Sequence, residues 1–229
     1  MFLFGRKIPV SFDGFTDCHS HILPGVDDGV QKIDESLRIL SDYEKMGIRE
    51  VVFTPHIMED VPNTPQDLRR RFEEFKKAYG GPIKLHLAAE YMMDHKFEDL
   101  VDSGDLLTHG DGSHILVETS YMNRPANMDG ILFKLQSLGY EPILAHPERY
   151  MYMEMDEYDR IKDKGILLQM NLGSLAGMYG GHVRQRAEYL LEKGLYDMAG
   201  SDIHRHHMIE AYKTITLRKG QSLPMPAHF

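Results

Sequence analysis

The stretch Asp17-Cys18-His19-Ser20-His21-Ile22-Leu23-Pro24-Gly25-Val26-Asp27-Asp28-Gly29 decides how the rest of the chain is read. If the run from Phe15 to His21 is a strand, side chains alternate, placing Asp17, His19 and His21 on one face and Cys18 and Ser20 on the other. Two imidazoles two residues apart on a rigid strand converge on one point. The Pro24-Gly25 turn then delivers two carboxylates, Asp27 and Asp28, to the same neighbourhood. A His-x-His pair by itself is equally a pair of surface or hydrogen-bonded histidines, so the question is whether other strand ends supply further ligands.

Downstream, the pattern alternates between strand and helix. Ile33, Leu37, Leu40, Tyr43 and Met46 follow the helical period and stop at Gly47, which predicts a helix with a glycine cap. Glu50 to His56 is a β-branched run stopped by proline, so a buried strand is expected with His56 just past its end. A charged amphipathic helix over Gln66 to Tyr79 breaks at Gly80-Gly81-Pro82. Ile83 to Glu90 alternates as a strand ending in an acid, a short helix covers Lys96 to Ser103, and His114 to Glu118 is an apolar run that again ends in an acid. Met128 to Leu138 reads as a helix closed by Gly139. Glu141 to His146 reads as a strand running into Pro147-Glu148-Arg149. A helix from Met155 to Lys164, a strand from Gly165 to Asn171, a helix from His182 to Lys193 and a strand from Leu195 to Gly200 follow, delivering Ser201-Asp202-Ile203-His204.

Strand and helix repeated about seven times imply a parallel sheet with crossover helices, closing into a barrel rather than lying open. In such barrels chemistry sits at the C-terminal ends of the strands. Those ends hold His19, His21, His56, Glu90, Glu118, His146, Asp202 and His204, and only imidazoles and acids recur there.

Composition narrows the class. With 229 residues we expect one domain spanning 1–229. A net charge of -9 argues against nucleic acid or an anionic membrane as the main partner. No apolar run approaches the roughly 18 residues of a spanning helix, so no membrane insertion is expected. Arg6 and Lys7 within Met1 to Val10 are in the wrong order for a secretory signal, which leads us to expect a cytoplasmic protein. The single cysteine, Cys18, can form no internal disulfide. Cysteine phosphatases close an anion loop with an arginine shortly after the nucleophile; Pro24 stands there, so Cys18 reads as buried packing. Met151 to Met155 reads as gap-filling packing, and His206 and His207 as solvated histidines.

Imidazole and carboxylate ligands without thiolate suit manganese, iron or zinc better than calcium, and carboxylate bridges hold two ions about 3.5 to 4 Å apart. Adding Asp28 brings the candidates to nine, too many for one ion and enough for two or three. Such a cluster lowers the pKa of a bridging water and clamps the oxygens of a phosphorus centre, which makes phosphoester hydrolysis the natural reaction and amide hydrolysis its competitor. Arg149 and Arg205, at the same rim, favour phosphate, because a guanidinium fork matches its oxygens.

Asp17 to His21, the Leu23 to Gly29 turn, Thr54-Pro55-His56, Glu90, Glu118, His146-Pro147-Glu148-Arg149-Tyr150, Asn171 to Leu175 and Ser201 to His204 occur in this order. Together they closely resemble the polymerase and histidinol phosphatase (PHP) superfamily, and within it the bacterial tyrosine phosphatases of capsular and exopolysaccharide synthesis. The resemblance covers about Phe15 to His204. It implies a distorted (β/α)7 TIM-like barrel with two or three divalent ions, manganese or iron first, zinc or magnesium as alternatives. By matching motif, one ion would be held by His19, His21, Glu90 and Asp202, a second by Glu90, Glu118 and His146, and a third by Asp28, His56 and His204. The resemblance further implies in-line attack on phosphotyrosine by a metal-bridging hydroxide, with Arg149 gripping the phosphate. Tyrosinate, with a pKa near 10, is a moderate leaving group that calls for no strong general acid. The implied substrate is the phosphorylated tyrosine-rich tail of a membrane tyrosine kinase.

The family places a second phosphate-facing arginine several residues past Asp-x-His, where this chain has Arg205-His206-His207-Met208, so Arg205 is the candidate substitute. A second departure from the family pattern is that the chain runs only a little past Gly220, so a short last barrel helix is expected. Two other readings stay open: a small-molecule phosphoesterase of histidinol-phosphatase type, and an inactive scaffold that binds phosphotyrosine. The complete ligand set disfavours the scaffold.

Overall fold

The computed structural model describes residues 7–61 and 63–226. Part of the N-terminal stretch on which the signal reading rests, residues 1–6, lies outside them. Among the described residues no helix is long and apolar enough to cross a membrane.

In chain order the strands and helices are β1 (Lys7–Pro9), β2 (Thr16–Ser20), α1 (Ile33–Met46), β3 (Glu50–Phe53), β4 (His56–Ile57), α2 (Pro65–Ala78), β5 (Lys84–Leu87), β6 (Glu90–Met92), α3 (His95–Ser103), β7 (His114–Glu118), α4 (Met128–Ser137), β8 (Glu141–Ala145), α5 (Met155–Asp163), β9 (Leu167–Asn171), α6 (Leu172–Leu175), α7 (Gly181–Lys193), β10 (Met198–Gly200), α8 (Met208–Tyr212) and β11 (Thr216–Arg218). A 3₁₀ turn, Pro147–Arg149, follows β8. Local chemistry sets the boundaries. Thr64 caps α2 by accepting the Asp67 N–H, with Pro65 at the first helical position, and Asp94 caps α3 by accepting the Phe97 N–H. Gly47 closes α1 at φ 90°.

Strands β2, β3 and β5 form one parallel sheet, and β10, β9, β8, β7, β6 and β4 form a second. Backbone bonds stitch one seam between them: His21 N–H to Ile203 O at 3.0 Å and Asp202 N–H to His19 O at 2.7 Å. Along β7 and β8, Ile115, Val117 and Leu144 join the large core that packs against the helices. Leu116, Ile143 and Ala145 instead meet Cys18 of β2 and Met198 of β10 in a second, inner cluster. Side chains from the two sheets meet only if the sheets curl toward each other, so the architecture is a curled parallel α/β sheet of TIM-like kind.

Two strands expected to be continuous are each interrupted. Thr54-Pro55 separates β3 from β4, where proline offers no N–H to a ladder, and Ala88-Ala89 separates β5 from β6. His56 and Glu90 therefore open new short strands in the second sheet instead of ending the earlier ones. The antiparallel pair β1 and β11 was not signalled by the sequence. The last helix, α8, is short, with 5 residues.

Candidate metal centre

His19 lies on β2, and the side chains of His19 and His21 converge, Nε2 to Nε2, at 3.0 Å. Asp17 does not join them. A register shift between Asp17 and Ser20 interrupts the alternation, and Asp17 turns to accept the Ser201 N–H at 2.7 Å. Gly200 makes room for His19: a Cβ there would stand 2.3 Å from the His19 Cβ.

The other nitrogen of each imidazole is occupied. His19 Nδ1 donates to Gln169 Oε1 at 2.9 Å, and the Gln169 amide is oriented by its own N–H on the Met170 carbonyl. His21 Nδ1 donates to Asp27 Oδ2 at 2.8 Å, and Asp27 also accepts the backbone N–H groups of His56 and Gly29. In the neutral rings both Nε2 atoms then present lone pairs. Two lone pairs 3.0 Å apart repel unless a positive charge sits between or beside them. Carboxylate oxygens crowd the same point: Glu90 Oε2 lies 3.2 and 3.4 Å from the two nitrogens, and Asp202 Oδ1 lies 3.5 and 3.3 Å away.

The remaining candidates complete the rim. His56 Nδ1 is 3.0 Å from Glu90 Oε2 and 3.1 Å from Glu118 Oε1. His146 Nε2 is 2.9 Å from Glu90 Oε1 and 3.8 Å from Glu118 Oε2. Asp28 Oδ1 is 3.5 Å from His56 Nε2 and 3.2 Å from His204 Nε2. All nine residues fall into four overlapping groups of possible ligands: His21, Asp28, His56 and His204; His19, Glu90 and His146; His19, His21 and Asp202; and His56, Glu90 and Glu118. Glu118 thus lies nearer His56 than His146, and the boundaries between groups differ from those the resemblance implies.

The buried atoms His56 Nδ1, Glu90 Oε2 and His146 Nδ1 have no hydrogen-bond partner among the described residues, although the first two lie within 3.0 Å of each other. Buried polar atoms left this way need a further partner, and a divalent cation suits this donor set. Electrostatics agrees. Burial works against charge on Glu90 and Asp202, yet the histidines hold both carboxyls below the usual range. Burial would likewise lower His21, but Asp27, Asp202 and Glu90 raise it well above an ordinary imidazole. Such a cluster of carboxylates calls for positive charge, supplied by protons on the imidazoles or by metal ions in their place.

His146 and Asp202 have positive φ, 34° and 52°, where non-glycine residues rarely sit. Both lie where the chain leaves a strand and must aim a side chain into the rim.

Arg149 lies in the wall of a cleft of about 430 Å³ above this rim, with Tyr121, Met178 and Tyr179 close by. Its Nη1 donates to Asp202 Oδ2 at 2.9 Å; burial acts to lower the guanidinium pKa, and Asp202 together with Tyr121, Tyr179 and Glu148 raises it above the ordinary value. Arg205 also lines the cleft, but its Nη1 is engaged by the carbonyls of Asp28, Gly29 and His204 at 2.6 to 2.7 Å, which ties the Asp28 turn to the rim. His206 is not simply solvated. Its Nε2 meets Asp42 Oδ2 at 2.8 Å and its N–H donates to Glu35. His207 is exposed at the cleft. Of the methionine-rich segment, Met153 is fully buried, but Met151 is half exposed. Cys18 is fully buried with its thiol pKa raised by burial, as packing requires.

Gln169 was missed by sequence reasoning, and Asn171 was read only as part of the family motif, without a role. Gln169 interrupts the apolar run Ile166 to Met170, most of which lies in β9, and that polar residue among apolar neighbours was the available signal. Asn171 Nδ2 donates to Asp202 Oδ2 at 2.7 Å.

Comparison with known proteins agrees with this geometry. The chain is 29% identical over 219 residues to the tyrosine-protein phosphatase YwqE of Bacillus subtilis, covering 91% of this chain and 86% of that one. It is 28% identical over 225 residues to the tyrosine-protein phosphatase CpsB of Streptococcus pneumoniae, covering 89% and 90%. A solved structure from work on YwqE and CpsB, described as unique metal-dependent tyrosine phosphatases, superposes with a TM-score of 0.77 at 28% identity, over 83% of this chain and 80% of that one. The lactonase Lmo2620 of Listeria monocytogenes, at 13% identity and a TM-score of 0.53, covering 92% and 85%, shares the fold alone. The family pattern for capsular polysaccharide synthesis, CpsB/CapC, matches residues 15–222, which run from β2 past β11 and include all nine candidate ligands. This chain belongs to the CpsB/CapC family.

Proposed function

We propose that this protein is a metal-dependent tyrosine-protein phosphatase acting on a phosphorylated tyrosine kinase of capsular or exopolysaccharide synthesis. One observation carries the reading: two buried imidazole Nε2 atoms face each other at 3.0 Å among ionised carboxylates, with Arg149 in the cleft wall above. By the family pattern His19, His21, Glu90 and Asp202 would hold one ion, Glu90, Glu118 and His146 a second, and Asp28, His56 and His204 a third, with manganese or iron the expected metals and Glu118 also within reach of the ion beside His56. We also read the two sheets as one seven-stranded barrel in a single domain, counting β3 with β4 and β5 with β6 as interrupted strands.

When bound, divalent ions at such a rim supply Lewis acidity and lower the pKa of water. The chain's own residues do the rest. Gln169 and Asp27 fix the tautomers of His19 and His21, keeping their Nε2 lone pairs directed at the rim. Arg149 offers guanidinium N–H donors to phosphoryl oxygens and stabilises the negative charge that builds on them. Tyr121 and Tyr179 give the cleft an aromatic lining suited to a phenyl ring. No side chain is required as a strong acid, because tyrosinate leaves with a pKa near 10.

The test is turnover with Mn²⁺ of a phosphotyrosine peptide against histidinol phosphate. Faster hydrolysis of the peptide is expected; faster hydrolysis of the small molecule would shift the assignment to a small-molecule phosphoesterase.

A further inference from the structure

Arg149 is restrained in more than one direction. Its Nη1 is fixed to Asp202, and two aromatic rings lie against the guanidinium: Cζ lies 4.3 Å from the Tyr121 centroid and 4.1 Å from that of Tyr179. A planar cation that touches two rings and is tied to a carboxylate on one edge has little freedom to swing or tilt. The other donors of the fork are left for a ligand in the cleft that Arg149 lines.

Both rings are braced from behind. Tyr121 stacks on the fully buried Tyr150 at 6.2 Å between centroids. Tyr179 is placed by the Asn171-Leu172-Gly173 turn. Asn171 Oδ1 accepts the Gly173 N–H at 2.7 Å, and Asn171 Nδ2 reaches both Asp202 Oδ2 at 2.7 Å and the Tyr179 hydroxyl at 3.4 Å. A Cβ on Gly173 would stand 3.0 Å from Tyr179 Cε2, so the missing side chain lets the ring lie where it does. The Asn-Leu-Gly motif thereby acquires a role that metal ligation does not give it.

Asp202 joins the two halves of the site. Its Oδ1 faces the imidazoles, and its Oδ2 holds Arg149 and Asn171. Building on the phosphatase reading, we propose that Tyr121 and Tyr179 are positioning residues that clamp the Arg149 guanidinium for a phosphoryl group, aligned with the metal rim through Asp202.

The test is binding of inorganic phosphate to the Mn²⁺-loaded full chain by calorimetry, with metal content measured on the same samples. Tyr121→Leu and Tyr179→Leu are each expected to weaken phosphate binding about tenfold, or about 1.4 kcal/mol, at unchanged metal content. Tyr121→Phe and Tyr179→Phe, which keep the rings, are expected to bind as the parent does. Wild-type affinity in the leucine variants would overturn the proposal. So would affinity lost only together with metal, which would mean that the rings support the whole rim. Should a leucine variant fail to fold, the phenylalanine variants decide: weakened binding there would place the effect in the hydroxyls and overturn the clamp. Phosphate binding needs no turnover, so a protein that binds phosphate through these rings yet hydrolyses no phosphotyrosine would refute the phosphatase reading and leave the clamp standing.

Discussion

Two histidines at opposite ends of the curled sheet, one part-buried and one fully buried, behave in opposite ways. At the rim, burial and a neighbouring imidazole act to lower His56, but Glu90 and Glu118 reverse this and raise it to about 10. At the other end His109, beside a cleft of about 320 Å³ lined by Ile143, Leu167 and Met198, is lowered by burial to about 3. Burial alone expels charge from an imidazole, whereas burial among ionised carboxylates recruits it. What marks a metal rim is thus the number of acids gathered around its histidines. The histidine count of the chain, 13, does not by itself tell the two ends apart.

The largest effect that could break this contrast is His146→Ala. It is expected to abolish phosphotyrosine turnover and lower metal content while leaving the circular dichroism spectrum and the unfolding transition cooperative. Full activity in that variant would count heavily against the rim as the site. Next comes Asp27→Asn, which keeps the shape but weakens the hold on His21 Nδ1. Loss of such an orienting partner typically costs about 10 to 100-fold in metal affinity or activity, to be read by metal titration. At the other end, the folded protein keeps His109 neutral down to about pH 3, whereas the unfolded chain protonates it near 6.5. Between these values the unfolded state binds the extra proton, so this residue's contribution makes stability fall as pH falls, by up to about 1.4 kcal/mol per pH unit. His109→Gln is expected to flatten that part of the slope, measured as urea midpoints at several pH values. The smallest effect is Cys18→Ser. The residue packs in the inner cluster and touches no ligand, so activity should be retained with a modest loss of thermal stability. Lost activity with metal still bound would bring the thiol back into the chemistry.

The candidate ligands were legible in the sequence because most of them end an apolar run, where an acid or an imidazole stands out against the residues before it. The helices were legible for a similar reason: their period and their caps are local. What stayed hidden depends on approach between distant segments. Thr54-Pro55 looked like the end of a strand and is a step from one sheet to the other. Asp27 and Asp28 are adjacent and chemically alike, yet Asp27 is turned to His21 Nδ1 while Asp28 faces His56 and His204. Gln169 gains its role only because β10 brings Gly200, which has no side chain, against His19. Tyr121 and Tyr179 lie in stretches with no periodic signal, and only their stacking on Arg149 sets them apart from other tyrosines.

The left-handed backbone at His146 and Asp202 gives the protein engineer an unusual handle. Glycine at either place would ease the conformation and delete the donor, while most other residues would keep neither. Asparagine is the exception, since it tolerates this region of dihedral space and matches aspartate atom for atom in outline. Asp202→Asn therefore separates two properties that are elsewhere fused in this molecule, removing one negative charge while the peptide chain retains its bend.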